Sequence, residues 1–173
     1  MRKIARFEKI GREQWRKDAD IWRSLGYTDD EIDRMYDQIK LPSRATAGSA
    51  GYDFISPGNF LLDRNETVVI PTGIRILIDP GWFLGVFPRS SIGFKYGVCF
   101  ANTIPVVDSD YYGAKNEGHI LLKFVNRSTE GKRFVVHTGD RFAQGIFLPY
   151  GVTTDDNATA ERTGGIGSTG ESS

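Results

Sequence analysis

The strongest constraint on this chain's fold is its punctuation. After Pro42 the apolar residues come in short runs rich in β-branched and aromatic side chains, each stopped by Gly, Pro or Asp. Thr67 to Ile70 runs into Pro71-Thr72-Gly73, and Ile74 to Ile78 runs into Asp79-Pro80-Gly81. Trp82 to Phe87, Val98 to Ala101, Ile120 to Val125, Arg133 to Val136 and Phe142 to Leu148 continue the series. Such spacing predicts a mainly β protein built as an antiparallel sandwich or barrel. No internal repeat is visible.

The first forty residues follow a different rule. Ile4 to Ile10 reads as a short strand, and Arg12 to Ile39 reads as helical. Thr28-Asp29-Asp30-Glu31 is a capping-box sequence, in which Thr28 caps and Glu31 reaches back. Ile32, Met35, Tyr36 and Ile39 then fall at helical spacing as one apolar stripe. An earlier helix places Trp15, Ala19 and Trp22 on one face, and Pro42 ends the region. These aromatic stripes read as core or subunit packing rather than as a ligand box.

Charge and cysteine content narrow the function. The 173 residues suit one domain with a full core, with 22 basic side chains balanced by 22 acidic ones. That balance argues against a surface built for general nucleic-acid or membrane binding. The single cysteine, Cys99, lies in an apolar run and reads as a buried small hydrophobe, so no intrachain disulfide forms. His119 and His137 lack ligand or triad spacing and read as ordinary strand residues. The N-terminus lacks a signal-peptide core and no run approaches transmembrane length, so a soluble, cytoplasmic protein is expected.

From Thr153 the chain is rich in Gly, Ser, Thr and Asp, a composition that predicts a flexible arm over 153–173. Within it Gly165-Ile166-Gly167-Ser168-Thr169-Gly170 matches the dinucleotide fingerprint literally. That motif needs a strand before it and a helix after it, and only three residues follow. No Lys follows the glycines, which excludes a P-loop. Two readings stay open: a tail without structure, or an arm whose glycine N–H groups and Arg162 close over a phosphate.

Five ordered segments resolve more. They are Ala47 to Asp53, Pro88-Arg89-Ser90-Ser91, Asn102 to Tyr111, Gly139 to Gln144, and Arg162 to Gly170. In order and approximate spacing this set resembles the five motifs of the trimeric dUTP pyrophosphatase (dUTPase) family. The resemblance covers Leu41 to Gly170, and residues 11–40 look like a helical insertion within a single domain, 1–173. It implies a β-barrel or jelly-roll subunit, a homotrimer with active sites between subunits, and Mg²⁺-assisted hydrolysis of dUTP to dUMP and pyrophosphate.

The resemblance also assigns roles. Asp108 becomes the base that orients and deprotonates the attacking water, although Asp108 and Asp110 taken alone read equally as turn acids. Asn102 and Val106 belong to the hairpin that reads uracil. Tyr111 packs under the deoxyribose, where a ring leaves no room for a 2′-hydroxyl; taken alone it reads equally as a core tyrosine. Arg89, Ser90 and Ser91 form the phosphate turn, with Ser90 donating to the leaving-group oxygen. Gln144 supports the phosphate and water network, and Asp53 holds Mg²⁺ through water. Arg162 grips the γ-phosphate, with Gly164, Gly165, Gly167 and Ser168 in close contact, and Ile166 covers the base.

Four departures stand out. Ile166 replaces the usual stacking phenylalanine, and Pro105 replaces a hairpin glycine. Arg162 lies one residue nearer the glycines than is common. Gly113 to His119 holds a short insertion. Two competing expectations follow: a dCTP deaminase-type relative, and a nucleotide-gated regulatory protein that meets a protein partner through 11–40 using Trp15, Trp22 and Tyr36.

Overall fold

The computed structural model describes residues 2–160, 162 and 164. Twelve strands are all paired antiparallel: β1 Ala5–Lys9, β2 Ser43–Arg44, β3 Tyr52–Ile55, β4 Phe60–Leu62, β5 Thr67–Pro71, β6 Ile74–Ile78, β7 Trp82–Phe87, β8 Val98–Phe100, β9 Val106–Val107, β10 Leu121–Asn126, β11 Phe134–Val136 and β12 Arg141–Pro149. Four helices accompany them: α1 Arg12–Lys17, α2 Asp20–Ser24, α3 Asp29–Gln38 and α4 Ser90–Tyr96. A short 3-10 helix spans Ser109–Gly113.

The strands form four small sheets, ordered β1-β6, β5-β10-β8, β11-β4 and β2-β3-β12-β7-β9. Alternation drives this arrangement, because successive side chains on a strand point to opposite faces. Val68 and Ile70 of β5, Ile74, Ile76 and Ile78 of β6, and Leu122 and Phe124 of β10 turn inward. Their neighbours Val69, Leu77 and Lys123 face out. At the centre Phe124 packs on Phe60, Phe100 and Phe142, with ring centroids 4.7 to 6.1 Å apart.

The helical N-terminus packs on this β core. Trp15, Ala19, Trp22 and Ile32 have no exposed surface. The Trp15 indole N–H donates to the Ile32 carbonyl at 2.9 Å, joining α1 to α3. The expected capping box forms, with Thr28 and Glu31 satisfying each other's backbone N–H. Gly73 has φ +72°, and a Cβ there would lie 2.2 Å from Ile39, so the turn after β5 admits only glycine. The two tryptophans therefore belong to the core, and the expected partner surface is not made of them. Tyr36 is half-buried, its hydroxyl donating to the Ile10 carbonyl.

Three other expectations need correction. Cys99 is half-buried, not buried. His137 lies beyond β11 in an exposed turn, where Asp140 accepts from its backbone N–H. His119 precedes β10 in a loop and is wholly buried, for reasons taken up below.

Candidate active site

Antiparallel pairing brings the family-like segments together in two groups. The first surrounds a cleft of about 530 Å³ whose walls include Asn102, Pro105, Val106, Tyr111, Lys123 and Arg162. Asn102 sits in a tight connection after β8, where the Thr103 N–H donates to the Phe100 carbonyl and the Ile104 N–H to that of Asn102. Thr103 has φ +65°. A β-branched residue is costly there, and such strain concentrates at functional turns. Pro105 is buried, and its carbonyl accepts from Val86 N–H on β7, which ties the connection to the sheet.

Tyr111 lies in the 3-10 helix and is 4% exposed. Its hydroxyl donates to the His119 carbonyl at 2.8 Å and accepts from Asn116 Nδ2 at 2.8 Å. Burial pushes its pKa up, against the lowering effects of Asn116 and Arg162, so it keeps its proton and remains a donor. With the hydroxyl occupied, Tyr111 offers the cleft its ring. The Arg162 guanidinium lies 5.0 Å from that ring's centroid.

Arg162 also links the cleft to Asp108, the residue just before the 3-10 helix. Its Nη1 is 2.9 Å from Asp108 Oδ2 and 3.3 Å from Asp110 Oδ1. Burial works to lower the arginine's pKa, but the two carboxylates outweigh it and the shift is upward. The guanidinium is thus fixed as a cation between two half-exposed carboxylates. Arg162 Nε also donates to the Gly164 carbonyl at 3.4 Å. Gly165, Ile166, Gly167 and Ser168 lie outside the described residues.

The second group gathers on one end of the β3-β12-β7 sheet. Gln144 on β12 pairs in register with Asp53 on β3 and Phe87 on β7. Its side-chain amide donates to the Pro88 carbonyl at 3.3 Å. Arg89 reaches Asp53 Oδ1 at 3.3 Å, and Arg141 reaches Oδ2 at 3.4 Å. Ser90 and Ser91 open α4 and are exposed. Beside them Phe94 is 93% exposed, an unusual position for a large apolar ring.

Arg141 and Lys123 complete these groups and were not anticipated. Each stands on a strand between inward-facing neighbours, a position that reads in sequence as ordinary surface charge. Among the described residues, no hydrogen bond or ion pair links the first group to the second. Nor does any set of three His, Cys, Asp or Glu side chains converge as a metal cage among them.

The fold and these two groups define a class: a small antiparallel β protein with a nucleotide-sized cleft edged by carboxylates and guanidinium groups. Within it, the chain belongs to the dUTPase family, whose model matches residues 37–170. Helices α1, α2 and nearly all of α3 precede that match. Deoxyuridine 5′-triphosphate nucleotidohydrolase of Lactococcus lactis is 38% identical over 135 residues, spanning 76% of this chain and 89% of that protein. The crystal structure of dUTPase from Streptococcus mutans superposes with a TM-score of 0.60 at 30% identity, covering 85% of this chain and 97% of that one. The dUTPase of phage phi11 of S. aureus, with a coordinated structural Mg(II) ion, shares the fold with a TM-score of 0.61 at 16% identity, covering 92% of this chain and 98% of that one.

Proposed function

We propose that this chain hydrolyses dUTP to dUMP and pyrophosphate, with Asp108 as the base and the two residue groups meeting between copies of the chain. One observation carries the reading: the Arg162–Asp108 contact lies beside a cleft that also presents Asn102 and the Tyr111 ring. Base, phosphate-binding cation, base reader and sugar platform thus share one side of the molecule.

The chemistry follows from the groups present. Asn102 offers an amide donor and acceptor to the uracil edge. Tyr111 lies under the sugar and excludes a 2′-hydroxyl. The triphosphate carries several negative charges and competes with Asp108 and Asp110 for Arg162. Once Arg162 turns to the γ-phosphate, an Asp108 oxygen is free to accept a proton from water. The water oxygen bonds to the α-phosphorus as the bond to the bridging oxygen breaks, and pyrophosphate leaves with that electron pair. Ser90 donates a hydrogen bond to the departing oxygen, and Arg89 steadies the phosphate charge. Gln144 holds the phosphate turn through Pro88.

Mg²⁺ fits this site as a guest of the triphosphate. Asp53 is flanked by two guanidinium groups, so it suits contact through water with an ion whose other ligands are phosphate oxygens and waters. The ion supplies neutralisation of phosphate charge.

The separation of the two groups and the bare Phe94 support assembly into a homotrimer, as the family resemblance implies. No helix among the described residues is long and apolar enough to cross a membrane. A lone cysteine suits a reducing compartment, and we assign the enzyme to the cytoplasm.

The test incubates purified protein and Mg²⁺ with dUTP, dCTP, dTTP or UTP and measures pyrophosphate and ammonia. Pyrophosphate from dUTP alone, lost in Asp108→Asn, is the expected result. Ammonia from dCTP would indicate the deaminase chemistry instead. Nucleotide binding without turnover would indicate a regulator.

A further inference from the structure

The helical segment before the family match and the short insertion after the 3-10 helix are built into each other. Glu117 accepts a hydrogen bond from the Gly11 N–H at 2.6 Å. His119 Nδ1 stands 2.5 Å from Asp18 Oδ2, just past the end of α1. The other ring nitrogen, Nε2, accepts from the Gly73 N–H at 2.8 Å. That contact requires a lone pair on Nε2, so the proton sits on Nδ1 and the imidazole donates to Asp18 as a neutral ring. Gln14 Nε2 donates to the same Asp18 oxygen at 2.8 Å and holds it in place.

The far side of this loop holds Tyr111. The hydroxyl of Tyr111 ends on the His119 carbonyl, and Asn116 Nδ2 bridges that hydroxyl and the same carbonyl at 2.8 and 3.3 Å. Gly118, with φ +70°, lets the loop lie against the 3-10 helix: a Cβ there would come within 2.8 Å of the Tyr111 carbonyl. His119, wholly buried, is held by its ring to the helical segment and by its carbonyl to the cleft tyrosine.

We propose that Asp18 is a positioning residue for sugar selection: through His119 it fixes the height of the Tyr111 ring in the cleft and so sets the preference for a 2′-deoxy over a 2′-hydroxy nucleotide. This rests on the proposed dUTPase activity and extends it to a part of the chain outside the family match. A ring held at three points excludes a hydroxyl by contact, whereas a ring free to sink makes room for one. Asp18 contributes only an acceptor, so an amide oxygen at the same position serves equally.

The experiment compares kcat/KM for dUTP and UTP in the full-length protein and in Asp18→Ala, Asp18→Asn and Arg23→Ala. Arg23 pairs with Asp20 and Asp29 on the same helical segment and does not touch the loop. Asp18→Ala is expected to lower the dUTP-to-UTP ratio by about tenfold. Asp18→Asn and Arg23→Ala are expected to leave it within about twofold of the parent. Loss of folded protein lowers both substrates together and leaves the ratio unchanged, so the ratio separates positioning from mere support. NMR of ring-labelled tyrosine, without nucleotide, gives a reading independent of turnover: the Tyr111 resonance moves in Asp18→Ala and stays in Asp18→Asn. An unchanged ratio in folded Asp18→Ala, or an unmoved Tyr111 resonance, overturns the proposal while leaving dUTP hydrolysis intact. No dUTP turnover by the parent protein overturns the dUTPase reading, and the selectivity claim with it.

Discussion

At the residue scale, the buried Asp18–His119 contact has a stability consequence with a definite sign. Burial tends to raise the Asp18 pKa, but hydrogen bonds from His119 and Gln14 outweigh it, and the net shift is downward. A carboxyl depressed in the folded state stabilises the fold above its unfolded pKa, near ~3.9 for Asp, and loses that contribution as pH falls through the folded value. Urea midpoints measured from pH 7 down to pH 2 should fall more steeply for the parent than for Asp18→Asn in the acid limb. Equal slopes would show that Asp18 is not held as an ion. At neutral pH, Asp18→Ala leaves a buried imidazole N–H without a partner and should cost about 1–3 kcal/mol. Asn102, Asp108, Tyr111 and Arg162 were legible in sequence because they lie in ordered motifs. His119 was not: its partner stands 101 residues earlier, and a histidine at the start of an apolar run reads as the first residue of a strand.

At the element scale, local signals were legible where they were strong. The capping box of α3 and the strands β5, β6, β7, β10, β11 and β12 lie where turn residues and alternation place them, to within a residue or two. Four strands of two to four residues went unread, because β2, β3, β4 and β9 are too short to carry a period. Helix α4 also went unread: it buries only Ile92, so it has no apolar stripe, and Gly93 weakens its propensity. Two substitutions probe elements directly. Thr28→Ala removes the cap of α3 and should cost about 1 kcal/mol, read as a lower thermal midpoint with dUTP turnover kept. Gly118→Ala forces a side chain into a left-handed position against the 3-10 helix. It should destabilise by about 1–3 kcal/mol, and by displacing Tyr111 it should also raise KM for dUTP. A Gly118→Ala protein with unchanged stability and KM would contradict the close packing of the loop on Tyr111.

At the scale of the whole molecule, the β class followed from punctuation, but the division into four small sheets did not, since pairing across long separations leaves no local trace. The aromatic centre makes the sheets one body: Phe124→Ala should cost about 3–5 kcal/mol by calorimetry or urea titration. The same long-range pairing sorts the motif residues into two groups, one around Asp108 and Arg162 and one around Asp53, Arg89 and Gln144. The central claim is that these groups make one dUTP-hydrolysing site only when copies of the chain meet. Asp108→Asn disables the first group and Arg89→Ala the second, so each protein alone should be inactive. Co-expressed in equal amounts, they should form mixed assemblies in which about a quarter of the sites draw both intact groups from different chains. Pyrophosphate release from dUTP by the mixture is therefore the measurement to make. Recovery to about a quarter of parental turnover is the predicted result, and a mixture as inactive as its components would contradict the account.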